Sequence, residues 1–261
     1  MIKAKKSLGQ NFLIDQNILN LITDLVPIQG KNIIEIGPGT GNLTYLILKK
    51  NPKRVLAIEK DYNLSINLKK KFEDKLEVLN QDVLKVNETS LIQEKVTVFG
   101  NLPYNISTEI LVKWIVNLKD TFWFDHLVLM FQKEVADRIT AKFNTRNYGR
   151  LSILSNWKLD IKKICDIKPT CFSPRPKIDS SLLFFRPRNN FFKINNPHNL
   201  EKITRIFFNH RRKMLKKPFN QVFSGDQNIP NKLNINLNLR PQNLDFETYY
   251  KLAIEYENLN R

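Results

Sequence analysis

The sequence predicts an α/β fold: an open parallel sheet with helices on both faces, followed by a small helical domain. Three observations predict it. Short apolar runs alternate with amphipathic stretches through the first half of the chain, a glycine-rich turn follows the first of those runs, and strand signals stop near residue 189. A β-α-β-α order needs crossover helices, and those helices bury both faces of a parallel sheet. At 261 residues the chain has room for one such domain and an appendage.

In order, the strand-length runs are Asn32-Ile-Ile-Glu-Ile36, Arg54-Val-Leu-Ala-Ile58, Leu76-Glu-Val-Leu79, Val96-Thr-Val-Phe99 and Leu127-Val-Leu-Met-Phe131. Each is short and rich in β-branched or aromatic residues. Between them, Leu43, Leu46 and Ile47, then Leu64 and Leu68, have helical spacing. Ser180-Ser-Leu-Leu-Phe-Phe185 reads as a further strand, closed by Pro187. Asparagines at 189–190 and Asn195-Asn-Pro197 punctuate the chain, after which 200–215 and 246–256 read as helices around a loop at 224–226. The expected domains are therefore 1–188 and 189–261.

Composition excludes several classes. Apolar residues make up 42% and charged residues 26%, a globular balance. No apolar run approaches the roughly 18–20 residues of a membrane span, and the basic opening 1–7 has no apolar stretch behind it, so neither a membrane anchor nor a secretory signal is expected. Cys165 and Cys171 make no disulfide framework, and their spacing matches no zinc pattern. The expectation is a cytoplasmic protein without a metal. The net charge of +17 is more informative, because it is unevenly placed: residues 1–137 carry 18 basic and 16 acidic side chains, residues 138–261 carry 24 and 9. Basic residues concentrated in one half predict a nucleic-acid partner, since phosphate contacts release counterions.

The turn Glu35-Ile-Gly37-Pro-Gly39-Thr-Gly41 follows the first run, at the sheet edge where α/β folds bind ligands. A dinucleotide site requires G-x-G-x-x-G/A; here Asn42 takes the last position and Glu35 would oppose a pyrophosphate. S-adenosylmethionine (SAM) has no phosphate and carries a sulfonium and an ammonium, so an acidic turn suits it. Glu59 ends the second run, placed to accept ribose hydroxyls, and Asp82 follows the third, placed to accept from an adenine amine. Acids at consecutive strand ends on one edge point to a SAM-dependent methyltransferase.

The fourth run ends in Asn101-Leu-Pro-Tyr104, beside that pocket. An aromatic amine is a poor nucleophile because its lone pair is delocalised into the ring. The Asn101 side-chain oxygen and the Leu102 carbonyl are acceptors able to bind both N–H groups and hold the nitrogen closer to tetrahedral. Pro103 stiffens the turn. Tyr104 can stack on an extruded base, worth about 1–3 kcal/mol.

With these motifs in hand, the sequence resembles the rRNA adenine N6,N6-dimethyltransferases. The resemblance rests on Gly9-Gln-Asn-Phe-Leu13, Glu35-Ile-Gly-Pro-Gly-Thr-Gly41, Asn101-Leu-Pro-Tyr104 and Phe172-Ser-Pro-Arg-Pro-Lys-Ile-Asp-Ser180, and it spans essentially the whole chain. It implies a Rossmann-like SAM-dependent methyltransferase sheet with a small C-terminal helical domain. It also implies that Asn11, Leu13, Gly37, Glu59, Asp82 and Asn101 line the SAM pocket. Asn101, Leu102, Pro103 and Tyr104 would hold the adenine, with Phe172 stacking on its other face. Arg175 and Ile178 depart from the usual Pro and Val, and neither belongs to the methyl-transfer set.

Tyr148-Gly-Arg-Leu-Ser152, Phe208-Asn-His-Arg-Arg-Lys-Met-Leu215 and Leu239-Arg-Pro-Gln-Asn-Leu244 look more like the branch that dimethylates two adjacent adenines near the 3′ end of small-subunit (16S) rRNA. The other branch modifies large-subunit (23S) rRNA and confers macrolide resistance. Arg211, Arg212 and Lys213 are the candidate RNA contacts, with the aromatics among them facing a core, and Arg138, Lys142, Arg146 and Arg150 form a second basic series at nearly helical spacing. A DNA adenine methyltransferase and a non-enzymatic ribosome-assembly or transcription factor on the same scaffold are the remaining alternatives. The expected partner is small-subunit rRNA or an immature 30S-type subunit, and nothing in the chain demands more than a monomer.

Overall fold

In the computed structural model, residues 4–5, 8–118 and 121–260 are described; part of the basic opening 1–7 lies outside them. In chain order the strands are β1 (Phe12–Leu13), β2 (Asn32–Ile36), β3 (Arg54–Ile58), β4 (Glu77–Leu79), β5 (Val96–Asn101), β6 (Phe124–Gln132), β7 (Leu159–Ile167), β8 (Phe172–Ser173) and β9 (Ser180–Pro187). The helices are α1 (Gln16–Asp24), α2 (Asn42–Lys49), α3 (Tyr62–Phe72), α4 (Ser107–Asn117), α5 (Lys133–Ile139), α6 (Arg150–Lys158), α7 (Pro197–Asn209), α8 (Lys216–Phe223), α9 (Asn228–Lys232) and α10 (Phe246–Leu259).

Seven strands form one sheet in the order β4-β3-β2-β5-β6-β9-β7. The pairs from β4 to β6 are parallel and β6–β9 is antiparallel. The strand order reverses between β2 and β5, which opens a crevice at their carboxyl ends. Ile33, Ile34, Ile36, Val55, Val98 and Phe99 are all buried, as strands covered on both faces require. Side-chain caps start α1, α3 and α10: Asp15 accepts from Ile18 N, Asp61 from Asn63 N and Asp245 from Thr248 N. Among the described residues no helix is long and apolar enough to cross a membrane.

The chain packs as two compact units, one comprising residues up to Trp114, Leu118–Ala136 and Ile161–Pro187, the other Ile115–Asn117, Asp137–Asp160 and the chain from Arg188. The second unit takes in 137–160, which the domain reading placed in the first. The reason is the polar tips of buried aromatics, which need partners. Tyr148 Oη donates to Leu244 O (2.9 Å), Tyr250 Oη to Ile153 O (3.0 Å) and Trp157 Nε1 to Phe192 O (2.8 Å).

Three expectations are corrected. The helix expected over 200–215 ends at Asn209, where His210 N closes on Phe207 O, and Leu215 N leaves to donate to Leu239 O (2.7 Å). Strand β7 was not expected, because Asp160, Lys162, Lys163 and Asp166 interrupt its apolar residues, as suits a sheet edge. The series 138–150 is not one helical face, since α5 ends at Ile139 and α6 begins at Arg150.

Candidate active site

The crevice at the ends of β2, β3 and β5 is a pocket covered by the chain at residues 8–13. Asn11, Leu13, Gly37, Glu59, Asp82, Asn101, Leu102, Pro103 and Tyr104 all line it. It was built from turns at strand ends, so each side chain's position follows from where its strand stops.

After β2, Gly37 N donates to Ile58 O (3.0 Å) and Gly41 N to Pro38 O (2.9 Å). At Gly39 the backbone is left-handed (φ 58°), and a Cβ would lie 2.7 Å from the Phe12 ring. Glycine there lets the N-terminal segment close onto the turn. Glu59 is 6% exposed; its two carboxylate oxygens accept from Gly39 N (3.2 Å) and Asp61 N (2.8 Å). Burial pushes its carboxyl up, against those backbone bonds. Each oxygen keeps a further lone pair, so holding the turn and receiving a ribose are compatible roles.

Glu35, 2% exposed, accepts from Thr44 Oγ1 (2.6 Å). Burial pushes its carboxyl up to about 7, with the Thr44 bond opposing and the nearby Glu59 adding to the rise. Asp82 accepts from Lys60 Nζ (2.8 Å) and Leu84 N (3.1 Å), and the Lys60 ammonium holds its carboxyl below the usual range.

Asn101 closes β5 opposite Met130 of β6. Its Nδ2 donates to Asn11 O (2.8 Å), and its Oδ1 has no partner among the described residues. The donor is spent on the backbone, so an unsatisfied acceptor remains on a residue that lines the pocket. Leu102 is buried and lines the pocket, and its carbonyl is the acceptor it could offer a ligand. Ile106 N donates to Pro103 O (3.1 Å), closing the turn before α4.

Sequence reasoning missed what fastens residues 8–13. Asn42 Nδ2 donates to Leu13 O (2.8 Å), and Asp61 receives Gln10 Nε2 (3.1 Å) and Lys5 Nζ (2.9 Å). These partners are remote in sequence and carry no local signal, although Asn42 was already conspicuous as the residue that breaks the dinucleotide pattern.

Two expected site residues are placed differently from the rest. Phe172 does not line the pocket. It is 1% exposed and belongs to the buried cluster with Leu13, Phe99, Met130 and Leu182, because β8 pairs antiparallel with β1 and places Phe172 opposite Leu13. Arg211 is tied down within its unit, donating to Arg146 O and to Gln242 Oε1 (3.3 Å). Arg212 and Lys213 are exposed and line a hollow with Lys216, Lys217 and Arg240. As expected, Phe207 is fully buried beneath this segment.

The charged lining of the pocket, Glu35, Glu59 and the Asp82–Lys60 pair, suits a cationic ligand and opposes a pyrophosphate. SAM fits this donor set. Comparison with known proteins agrees. The family profile described as ribosomal RNA adenine dimethylase matches residues 1–258. The "Ribosomal RNA small subunit methyltransferase A" of Pelagibacter ubique (strain HTCC1062) is 63% identical, covering 99% of this chain and 98% of that one. Its counterpart in Wolbachia pipientis wMel is 42% identical, covering 98% and 90%. A crystal structure of a dimethyladenosine transferase from Plasmodium falciparum superposes with a TM-score of 0.80 at 27% identity, covering 95% of this chain and 98% of that one. The 23S rRNA methyltransferase ErmE has the same fold, with a TM-score of 0.69 at 20% identity and coverage of 96% and 100%. The acidic pocket, the unpaired Asn101 oxygen and a match along nearly the whole length lead to one statement: the chain belongs to the ribosomal RNA adenine dimethylase family.

Proposed function

We propose that the chain dimethylates N6 of two adjacent adenines in a hairpin near the 3′ end of small-subunit (16S) rRNA, with SAM as methyl donor, in the course of small-subunit maturation. The observation that carries this reading is the Asn101 oxygen, without a partner among the described residues, on a side chain whose nitrogen is held by Asn11 O. SAM, when bound, supplies an electrophilic methyl on a sulfonium. Asn101 Oδ1 and the Leu102 carbonyl accept from the adenine amine and localise its lone pair. Tyr104 stacks on the base, and the amine's proton leaves to solvent, so no general base is required. Arg212 and Lys213, with the other cations of the hollow they line, hold phosphates of the rRNA or of the immature subunit. The protein works as a cytoplasmic monomer.

The small-subunit substrate is favoured over the large-subunit one by the names of the curated relatives at 63% and 42% identity. A non-enzymatic role is disfavoured because the acidic pocket and the Asn101 turn are intact. The test is transfer from labelled SAM to unmethylated small subunits and, in parallel, to large-subunit RNA, read by nucleoside mass spectrometry. Dimethyladenosine in the small subunit alone is expected. Label in large-subunit RNA would move the chain to the other branch, and label in neither would leave the non-enzymatic reading.

Glu35 makes a pH prediction. Its folded-state pKa of about 7 lies above the ordinary carboxyl value of 4.5, so the unfolded chain gives up this proton first. Its contribution to stability therefore falls as pH rises from about 4.5 to about 7. A cationic ligand favours the ionised form, so SAM affinity should rise up to about tenfold between pH 6 and 7.5. Calorimetry on Glu35→Gln should show that dependence flattened.

A further inference from the structure

We propose that Ser180 is a positioning residue for methyl transfer, fixing the Tyr104 ring against the target base through a hydrogen bond made outside the pocket. The inference rests on the reading of Tyr104 as the stacking residue. Tyr104 lines the pocket, yet its hydroxyl meets Ser180 Oγ at 2.5 Å. Ser180 is itself fully buried and is not part of the pocket lining. A stacking ring needs its face only; a tyrosine whose hydroxyl is tied has neither ring torsion left free.

The tie is made to a rigid point. Ser180 opens β9 opposite Gln132 of β6, and Lys133 N donates to Asp179 O (2.9 Å) one residue before it. On the other face of β9, Ser181 Oγ donates to Asp166 Oδ1 (2.6 Å), and Asp166 is bridged by Lys133 (2.7 Å) and Lys163 (2.6 Å). Adjacent serines thus point to opposite faces, as a strand dictates: one anchors the strand and the other anchors the ring. Tyr104 is the turn residue that follows β5, and β5 pairs with β6, so the turn and its anchor hang on the same strand. Burial pushes the Tyr104 phenol up, which keeps it protonated and able to bond at neutral pH. In-line transfer depends steeply on the placement of the attacking atom, so a ring free to swing loses rate and little binding.

The test compares Ser180→Ala, Tyr104→Phe and the double variant of the full chain, with unmethylated small subunits as substrate. Each single variant should lower kcat about tenfold, equivalent to about 1.4 kcal/mol. KM for the subunit, and SAM affinity by calorimetry, should stay within about twofold. The double variant should be no slower than either single, because both remove one and the same bond. A purely structural serine would lower Tm and leave kcat alone. Tyr104→Phe deletes the bond from the half-buried side, so the test survives if Ser180→Ala folds poorly. Wild-type kcat in Ser180→Ala, or losses that multiply in the double variant, overturns the inference while methyl transfer by the wild type stands. No transfer by the wild type overturns the proposed function, and this inference with it.

Discussion

Replacing Asn101 with alanine is expected to slow methyl transfer by about 10²–10³-fold, the cost of removing one preorganised partner from a reacting centre, while SAM affinity stays within about threefold. The asymmetry follows from the geometry. The Asn101 amide nitrogen is committed to Asn11 O at 2.8 Å, which leaves the oxygen without a partner among the described residues. In the proposed role that oxygen acts when the amine begins to pyramidalise, so its loss should appear in kcat and scarcely in ligand binding. Single-turnover transfer and calorimetry check the two halves separately. Near-wild-type turnover in the alanine variant would reject the acceptor role.

Glu59→Ala is the second large effect, and it should appear without any substrate. The side chain satisfies two buried backbone donors, Gly39 N and Asp61 N. Hydrogen bonds to a charged group contribute about 1.5–3 kcal/mol each, and an orphaned buried donor costs a comparable amount. The variant should lose several degrees of Tm, and its SAM affinity should fall by about 10²-fold as the glycine turn loosens and the ribose acceptor disappears. Glu59→Gln keeps the size and one of the two acceptors but sets its NH2 against the other N–H, so it should recover about half of the lost Tm at most and less of the affinity. Unchanged affinity in both variants would remove Glu59 from the ribose site.

The parts of this site legible in the sequence are those encoded within one turn of chain. Glu35 through Gly41, Glu59 and Asn101 through Tyr104 each sit where a strand stops, and the strands are plain in the apolar runs. What escaped is set by pairings between distant segments. Phe172 shares a motif with residues that read as functional, but its direction is fixed by pairing with Leu13, and that register turns it into the core. Arg211 sits among outward-facing cations in sequence, yet Arg146 O and Gln242 draw it back. Strand β7 was hidden by its own lysines and aspartates, since an edge strand carries charge where a central one is apolar. The covering segment 8–13 is likewise held by Asn42 and Asp61, both remote from it in sequence.

If Asn101 accepts from the amine as proposed, the orientation of its amide would also act as a filter on which base is accepted. The two proposed acceptors, the Asn101 side-chain oxygen and the Leu102 carbonyl, carry no proton, so together they would welcome an exocyclic amine and repel a carbonyl. A guanine or uracil presenting its oxygen there would set three lone-pair-bearing atoms together with no proton among them. Sites that leave such groups unpaired reject the wrong ligand by large factors. On that proposal Asn11, whose carbonyl holds the Asn101 nitrogen, would help decide base identity without touching the base.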